Sequence, residues 1–329
     1  MHYIPRHNSH KKKKSYSGTI IFILLVLLFG IGVYKFKEIR LLFSSDGRSK
    51  LIRLEKKITE EFKKNELSED TIKDYSKASG SFFSIDITNP EAFYFLALSN
   101  FYETHLMGSD IKLSQIPYAC INGKSTLLPE SRNFDKTFGK MYIEAKRAKA
   151  FGLNNEFSES NNLLILYYET FHSSKKNEIL SKEFLIINKN NISKNLTNLY
   201  KKLGLLIACL SGNTNLNNTI LEEHISSGQS EISEDEINFL KSLTFYNANE
   251  YVKSLEFLRN IQSSINPSLL KEGKILEAMI FFKQNLHEKA IDILEKLYES
   301  TDKKDSEILN KIQTIVNSKK GLKSKLVKE

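Results

Sequence analysis

The sequence predicts an all-α protein, a series of helical hairpins behind a single N-terminal membrane-spanning helix. Three observations predict it. Five prolines and fourteen glycines in 329 residues are too few turn-formers for a sandwich or barrel, and no run alternates as a strand does. Residues 18–34 read GTIIFILLVLLFGIGVY, without a charge, and nothing else in the chain is comparably apolar. The stretch beginning at Ser242 is echoed by the stretch beginning at Ala278, an offset of 36 residues without a gap.

Residues 1–17 are polar and basic and are expected to be disordered. The segment 18–34 follows the tract Lys11–Lys14. As a helix it spans about 25 Å, enough to cross a bilayer core with slight thinning. A cleavable signal is the competing reading, with Gly30 and Gly32 at the spacing a signal peptidase uses and a cut after Gly32. Against it, the apolar run continues to Tyr34, and Lys35 and Lys37 follow at once. Basic residues flank both sides: Arg6 and Lys11–Lys14 before the span, and Lys35, Lys37, Arg40, Arg48, Lys50 and Arg53 after it. The contiguous lysines favour a cytoplasmic N-terminus, because long domains translocate largely regardless of charge. The expected location is therefore the inner (cytoplasmic) membrane, single-pass, with the C-terminal domain periplasmic.

Residues 35–66 form a basic and amphipathic juxtamembrane segment. Within it Leu51, Leu54, Ile58 and Phe62 make a narrow apolar stripe over 51–64, as a stalk, a coiled-coil contact or the first helix of the domain. The helical-repeat domain is expected over 67–317, with 318–329 a basic tail. Ser68, Asp70 and Thr71 offer a helix start. Asn89 is placed to cap a helix over 91–105, with Pro90 at its first position. That helix is rich in aromatics: Phe93, Tyr94, Phe95, Phe101 and Tyr102. Residues 107–132, bearing Pro117, Gly123 and Pro129, form the longest irregular stretch. Helical patterns resume over 134–151, 158–171, 176–187 and 193–210, and the Asn-rich 212–218 reads as an interruption. The last helices run over 234–248, 250–263, 268–284, 287–299 and 305–316. Ser233 and Glu236 have the spacing of a capping box.

The internal echo is specific in its sizes. Ser242 pairs with Ala278 and Ser254 with Ala290. Phe245 pairs with Phe281, Tyr246 with Phe282, and Asn249 with Asn285 at the inter-helix turn. Leu255, Leu258 and Ile261 pair with Ile291, Leu294 and Leu297. Small residues let paired helices approach, and aromatics fill the space between neighbouring turns. The pattern resembles the tetratricopeptide repeat (TPR), clearest over 235–267 and 271–299. The family's small residue of the first helix falls on Ser242 and Ala278, its aromatic on Phe245 and Phe281, and its second small residue on Ser254 and Ala290. Its closing proline has a counterpart one place late, Pro267, in the first copy alone. The family's tryptophan position holds Asn238 and Lys274, a departure. Upstream the echoes are looser: Leu203-Gly204 with Ile207; Tyr142, Ala145 and Ala148; and the helix from Glu91.

Charge excludes a nucleic-acid role. Residues 1–50 carry ten basic and two acidic side chains; the other 279 carry 38 and 37, nearly neutral. The excess belongs beside the membrane, against anionic headgroups. Cys120 and Cys209 are the only cysteines and make no metal motif; Cys209, within an apolar run, reads as a small buried hydrophobe. No catalytic, cofactor or metal signature is present. His105 and His172 read as capping or surface residues, and His287 stands where the repeat wants an aromatic. An enzyme is not expected.

The resemblance implies a protein-binding scaffold whose groove is lined by first helices. Residues that could face it are Glu236, Phe239, Leu243, Asn247, Glu272, Ile275, Met279 and Lys283, some of which must be core. The layout also resembles the membrane-anchored repeat proteins that build the periplasmic collar around flagellar motors. Partners are then expected among envelope proteins, flagellar-motor components included, and further copies of the chain. Two alternatives stand: a cytoplasm-facing adaptor, and a periplasmic glycan-binding or glycan-processing protein using the aromatics of 91–102 and the 107–132 insertion.

Overall fold

The computed structural model describes residues 45–64, 66–226, 233–261 and 266–318. The expected anchor over 18–34 and the tails over 1–17 and 319–329 lie outside the described residues. Among those residues no helix is long and apolar enough to cross a membrane. All regular structure among them is helical, with no strand.

Helix α1 covers residues 45–64 and starts earlier than its apolar stripe. Leu51 and Ile58 are fully buried, so α1 is the first helix of the domain and not a free stalk. Helix α2 (Glu69–Ile85) follows Ser68, whose hydroxyl makes no cap. Glu61 of α1 supplies one instead, accepting from the Ser68 N–H at 3.0 Å and the Thr71 hydroxyl at 2.7 Å. Helix α3 (Pro90–Leu106) opens as its sequence dictates: Asn89 Oδ1 accepts from the Glu91 N–H at 2.9 Å, and Pro90 takes the first position.

The insertion over 107–132 is less irregular than its prolines suggest. It holds a short helix, α4 (Ile116–Asn122), between 3₁₀ turns at Leu113–Gln115 and Lys124–Leu127. Then come α5 (Arg132–Ala150), α6 (Ser158–His172), α7 (Asn177–Ile186), α8 (Thr197–Ser211) and α9 (Thr214–Ser226). Helix α9 corrects the sequence reading. The Asn-rich stretch interrupts only at Gly212 and Asn213, and the rest is helix, with Leu216, Ile220 and Leu221 buried. Helix α8 also begins later than expected, after a 3₁₀ turn at Lys194–Leu196. The final elements are α10 (Glu234–Asn247), α11 (Tyr251–Asn260), α12 (Pro267–Lys283), α13 (His287–Ser300) and α14 (Ser306–Asn317). Ser233 and Glu236 form the capping box on α10, and Asn266 caps α12 with Pro267 as its first residue.

The helices pack in series. Helix α3 pairs with α5, α6 with α7, α8 with α9, α10 with α11 and α12 with α13. The second helix of each pair also touches the first helix of the next, ending with α13 on α14. First helices meet in a row: α3 with α6, α6 with α8, α8 with α10, and α10 with α12. Such nearest-neighbour contact is what stacked hairpins produce, because each pair buries its faces only against its neighbours.

The offset of 36 has a conformational counterpart. Asn249 and Asn285 have φ of 62° and 61°, and among the described residues no other non-glycine has positive φ. Asparagine tolerates this left-handed region better than most side chains. The Glu250 N–H donates to the Phe245 carbonyl and the Leu286 N–H to the Phe281 carbonyl, both at 2.9 Å. Ser242, Ser254, Ala278 and Ala290 are all fully buried. In the first hairpin the Ser242 hydroxyl donates to the Ser254 carbonyl at 2.9 Å and the Ser254 hydroxyl to the Ser242 carbonyl at 2.8 Å, which brings the two hydroxyl oxygens to 2.9 Å. In the second, Ala278 and Ala290 occupy the equivalent positions, fully buried and without polar side-chain atoms.

Asparagine also joins neighbouring elements. Asn161 Nδ2 donates to the Ala145 carbonyl, Asn177 Nδ2 to the Leu210 carbonyl and Asn217 Nδ2 to the Thr244 hydroxyl. Where helices come closest, glycine is required. A Cβ at Gly204 of α8 would collide with Ile220 and Phe184, the side chains of α9 and α7.

Candidate functional site

The expected partner face divides in two. On α10, Phe239 and Leu243 are fully buried in the main core. Glu236 is half-buried and its carboxylate is engaged in the capping box, accepting from the Ser233 N–H at 2.8 Å. Asn247 is half-buried, and its Nδ2 donates to the Cys209 carbonyl at 2.7 Å, fastening the end of α10 to the end of α8. On α12, Ile275 is fully buried in a second cluster with Ile308 and Ile312 of α14. Glu272 is buried and paired with Lys311 of α14 at 2.5 Å. Further along α12, Met279, half-buried, and Lys283, exposed, present surface to solvent. Spacing placed these residues on one helix face; it could not show that α14 covers part of it.

The insertion covers the upstream part of the same row. The Tyr167 hydroxyl of α6 donates to the Ser109 carbonyl at 3.3 Å, and Lys202 of α8 pairs with Asp110 at 2.9 Å. Helix α4 then lies against both α8 and α10. Cys120 of α4 is joined to Cys209 of α8 by a disulfide, their Cα atoms 6.4 Å apart. Cys209 is buried as its apolar setting implied, but it is a cross-link and not merely a small hydrophobe. The 89-residue separation gave the sequence no signal of the pairing.

A buried polar cluster went unseen in the sequence. Glu55 of α1 accepts from the Tyr75 hydroxyl of α2 at 2.9 Å. Tyr94 and Tyr102 of α3 are also fully buried. Tyr94 bonds the Ser193 hydroxyl at 3.3 Å, and Asn195 Nδ2 donates to the Tyr102 hydroxyl. Burial pushes the Glu55 carboxyl up to about 7, against the opposing pull of the Tyr75 hydroxyl and Arg48.

The aromatics of α3 serve packing. Phe93, Tyr94, Phe95, Phe101 and Tyr102 are all buried, with edge-on pairs such as Tyr75–Tyr102 at 5.2 Å and Phe82–Phe95 at 5.7 Å. Flat faces for stacking a sugar are therefore not offered by this helix. A surface cleft of about 630 Å³ lies between α2 and the end of α3, lined by Ile72, Lys73, Ser76, Glu103, Leu106 and Met107 among others. Among its polar groups Ser76 donates to Glu103 at 3.2 Å, and Lys73 pairs with Glu69 at 2.9 Å.

His105 is half-buried with its ring 4.7 Å from that of Phe62, and burial lowers its basicity. His172 is exposed and stacks on Tyr168 at 4.6 Å. Among the described residues no group of three or more His, Cys, Asp or Glu is placed to hold a metal ion. No family model matches the chain, no curated protein is similar to it, and no solved structure matches it.

Proposed function

We propose that the chain is a membrane-anchored scaffold of a bacterial envelope, holding partner proteins by a TPR-like stack of helical hairpins. The observation that carries this reading is the row of first helices with a repeated hairpin at its end. Stacked hairpins of this kind bind protein segments along their first helices; here the hairpin geometry recurs through matching turns at Asn249 and Asn285, and Met279 and Lys283 of α12 stay at the surface. The 17 uncharged, mostly apolar residues of 18–34 would tether it as a single uncleaved span with a cytoplasmic N-terminus.

The Cys120–Cys209 disulfide favours the exported orientation over the cytoplasm-facing one. Disulfides form and persist in oxidising compartments and are rare in a reducing cytosol. Within this reading the periplasmic collar of a flagellar motor is the assembly whose layout the chain resembles. The role assigned is binding, with no catalytic residue, cofactor or metal, and no nucleic acid among the partners. Two measurements test it. A reporter fused after Glu329 reads the topology, and activity of a cytoplasm-only reporter there would reverse the orientation. Deletion of the chain should disturb an envelope assembly and leave metabolite levels unchanged; a defined metabolic block instead would favour an enzyme.

A further inference from the structure

The insertion between α3 and α5 is laid across the surface a partner would use. It leaves α3 through Met107 and Gly108, whose φ of 92° turns the chain. It then crosses α6 at Ser109–Tyr167, α8 at Asp110–Lys202, and reaches α8 and α10 through α4. Helices α6, α8 and α10 are successive members of the row of first helices. The insertion brings its own anchors: Ile111, Leu113, Ile116, Ala119 and Leu127 are all buried, in the same core cluster as Leu203, Phe239 and Leu243. A short helix with apolar anchors lying in a helical groove is one of the recurrent ways that proteins bind peptides. Here the peptide belongs to the chain itself, and one covalent bond fastens it.

We propose that residues 107–131 are a built-in occupant of the partner face, latched by the Cys120–Cys209 disulfide, and that opening the latch frees a surface on α6, α8 and α10 for a short amphipathic segment of the same chemistry. The inference rests on the scaffold reading for its biological use but not for its test. Opening needs a dithiol. Its thiolate attacks the sulfur of Cys120, the half-buried member of the pair, forming a mixed disulfide and releasing the Cys209 thiolate. The second thiol of the reagent then displaces Cys120. The reagent leaves as a disulfide, and two electrons and two protons end on the two cysteines.

Hydrogen exchange on the full-length chain, before and after reduction with dithiothreitol, reads the latch. Reduction should raise exchange over 107–131 and on α8 and α10, and leave α12 to α14 as they were. Unchanged exchange over 107–131 would overturn the latch. An equal rise through every helix would overturn it too, since the disulfide would then staple the whole fold. A second arm reads the surface. A labelled peptide of residues 108–123, carrying Cys120→Ser, is titrated into the full chain bearing Cys120→Ser and Ile116→Asp, and into the oxidised parent. It should bind the variant and not the parent. Binding to neither, or to both alike, would sink the proposed surface. Should the variant fail to fold, the exchange arm on the unaltered chain still decides. Neither arm involves a partner protein, so loss of the scaffold reading would show separately, in partner capture.

Discussion

Gly212→Ala is the sharpest probe of how the hairpins meet. Gly212 ends α8 in the left-handed region, at φ 68° and ψ 24°. A side chain there costs about 1 kcal/mol in backbone conformation alone. Its Cβ would also lie 2.5 Å from the Ala248 nitrogen, 2.7 Å from the Asn247 carbonyl carbon and 2.8 Å from the Ala248 Cα. These are backbone atoms at the end of α10, so no rotamer change relieves them; α8 and α10 must part. Overpacking of this kind costs about 1–3 kcal/mol. Parting the helices also strains the Asn247–Cys209 hydrogen bond, worth about 1 kcal/mol. The sum is roughly 3–5 kcal/mol, or about 5–9 °C in midpoint for a domain of this size. Gly139→Ala is the internal control. It lies within α5 with nothing within 4 Å of the added Cβ, and should stabilise by about 0.5–1 kcal/mol. Thermal melts of the full chain in detergent, followed by helical circular dichroism, would compare them. A Gly212→Ala midpoint equal to the parent, or a fall in Gly139→Ala matching it, would refute the packing argument.

Other outcomes follow from single contacts. Ala290→Leu should lose about 1–3 kcal/mol, because the fully buried Ala290 marks the close pairing of α12 and α13; denaturant titration checks it, and a neutral result would mean the second hairpin is loosely packed. Glu55 makes stability fall with rising pH. Its carboxyl titrates near 7 when folded and near the ordinary 4.5 when unfolded, so its contribution is fully present below about 4.5 and lost as pH climbs to about 7. The loss is of order 2–3 kcal/mol, and Glu55→Gln should flatten that part of the pH–stability curve; an unchanged slope would contradict the burial argument. Deleting residues 1–34 should release a soluble, folded protein, since the helix residues 45–64, with buried Leu51 and Ile58, are all retained. If the truncated chain still pellets with pure lipid vesicles, a second membrane-binding site exists.

What the sequence disclosed and what it hid have physical reasons. The hairpins at 235–263 and 271–299 were legible because close helix pairing demands small residues at fixed positions, and because the turn demands a residue tolerant of positive φ. Helix α9 was hidden because Asn213 to Asn218 look like a loop, whereas Asn213 and Asn217 donate across to α7 and α10. Glu55 was hidden among the charges of α1, since nothing local shows that Tyr75, twenty positions on, would close over it. The disulfide and the covering of the row of first helices are long-range facts. They depend on how an insertion with two prolines folds back, which periodicity does not encode. For the candidate face, spacing grouped residues of α10 and α12 by helix side alone. It could not tell Phe239, Leu243, Glu272 and Ile275, which are buried, from Met279 and Lys283, which reach the surface.

The central claim is that the helical stack holds partner proteins at a membrane. Cross-linking in native membranes, followed by capture of the full-length chain and mass spectrometry, tests it most directly. The account predicts a small, reproducible set of envelope proteins, flagellar-motor components among them in the collar version, with cross-links on the α12–α14 end where Lys283 is exposed. Recovery of the chain alone, or with cytoplasmic proteins only, would contradict it.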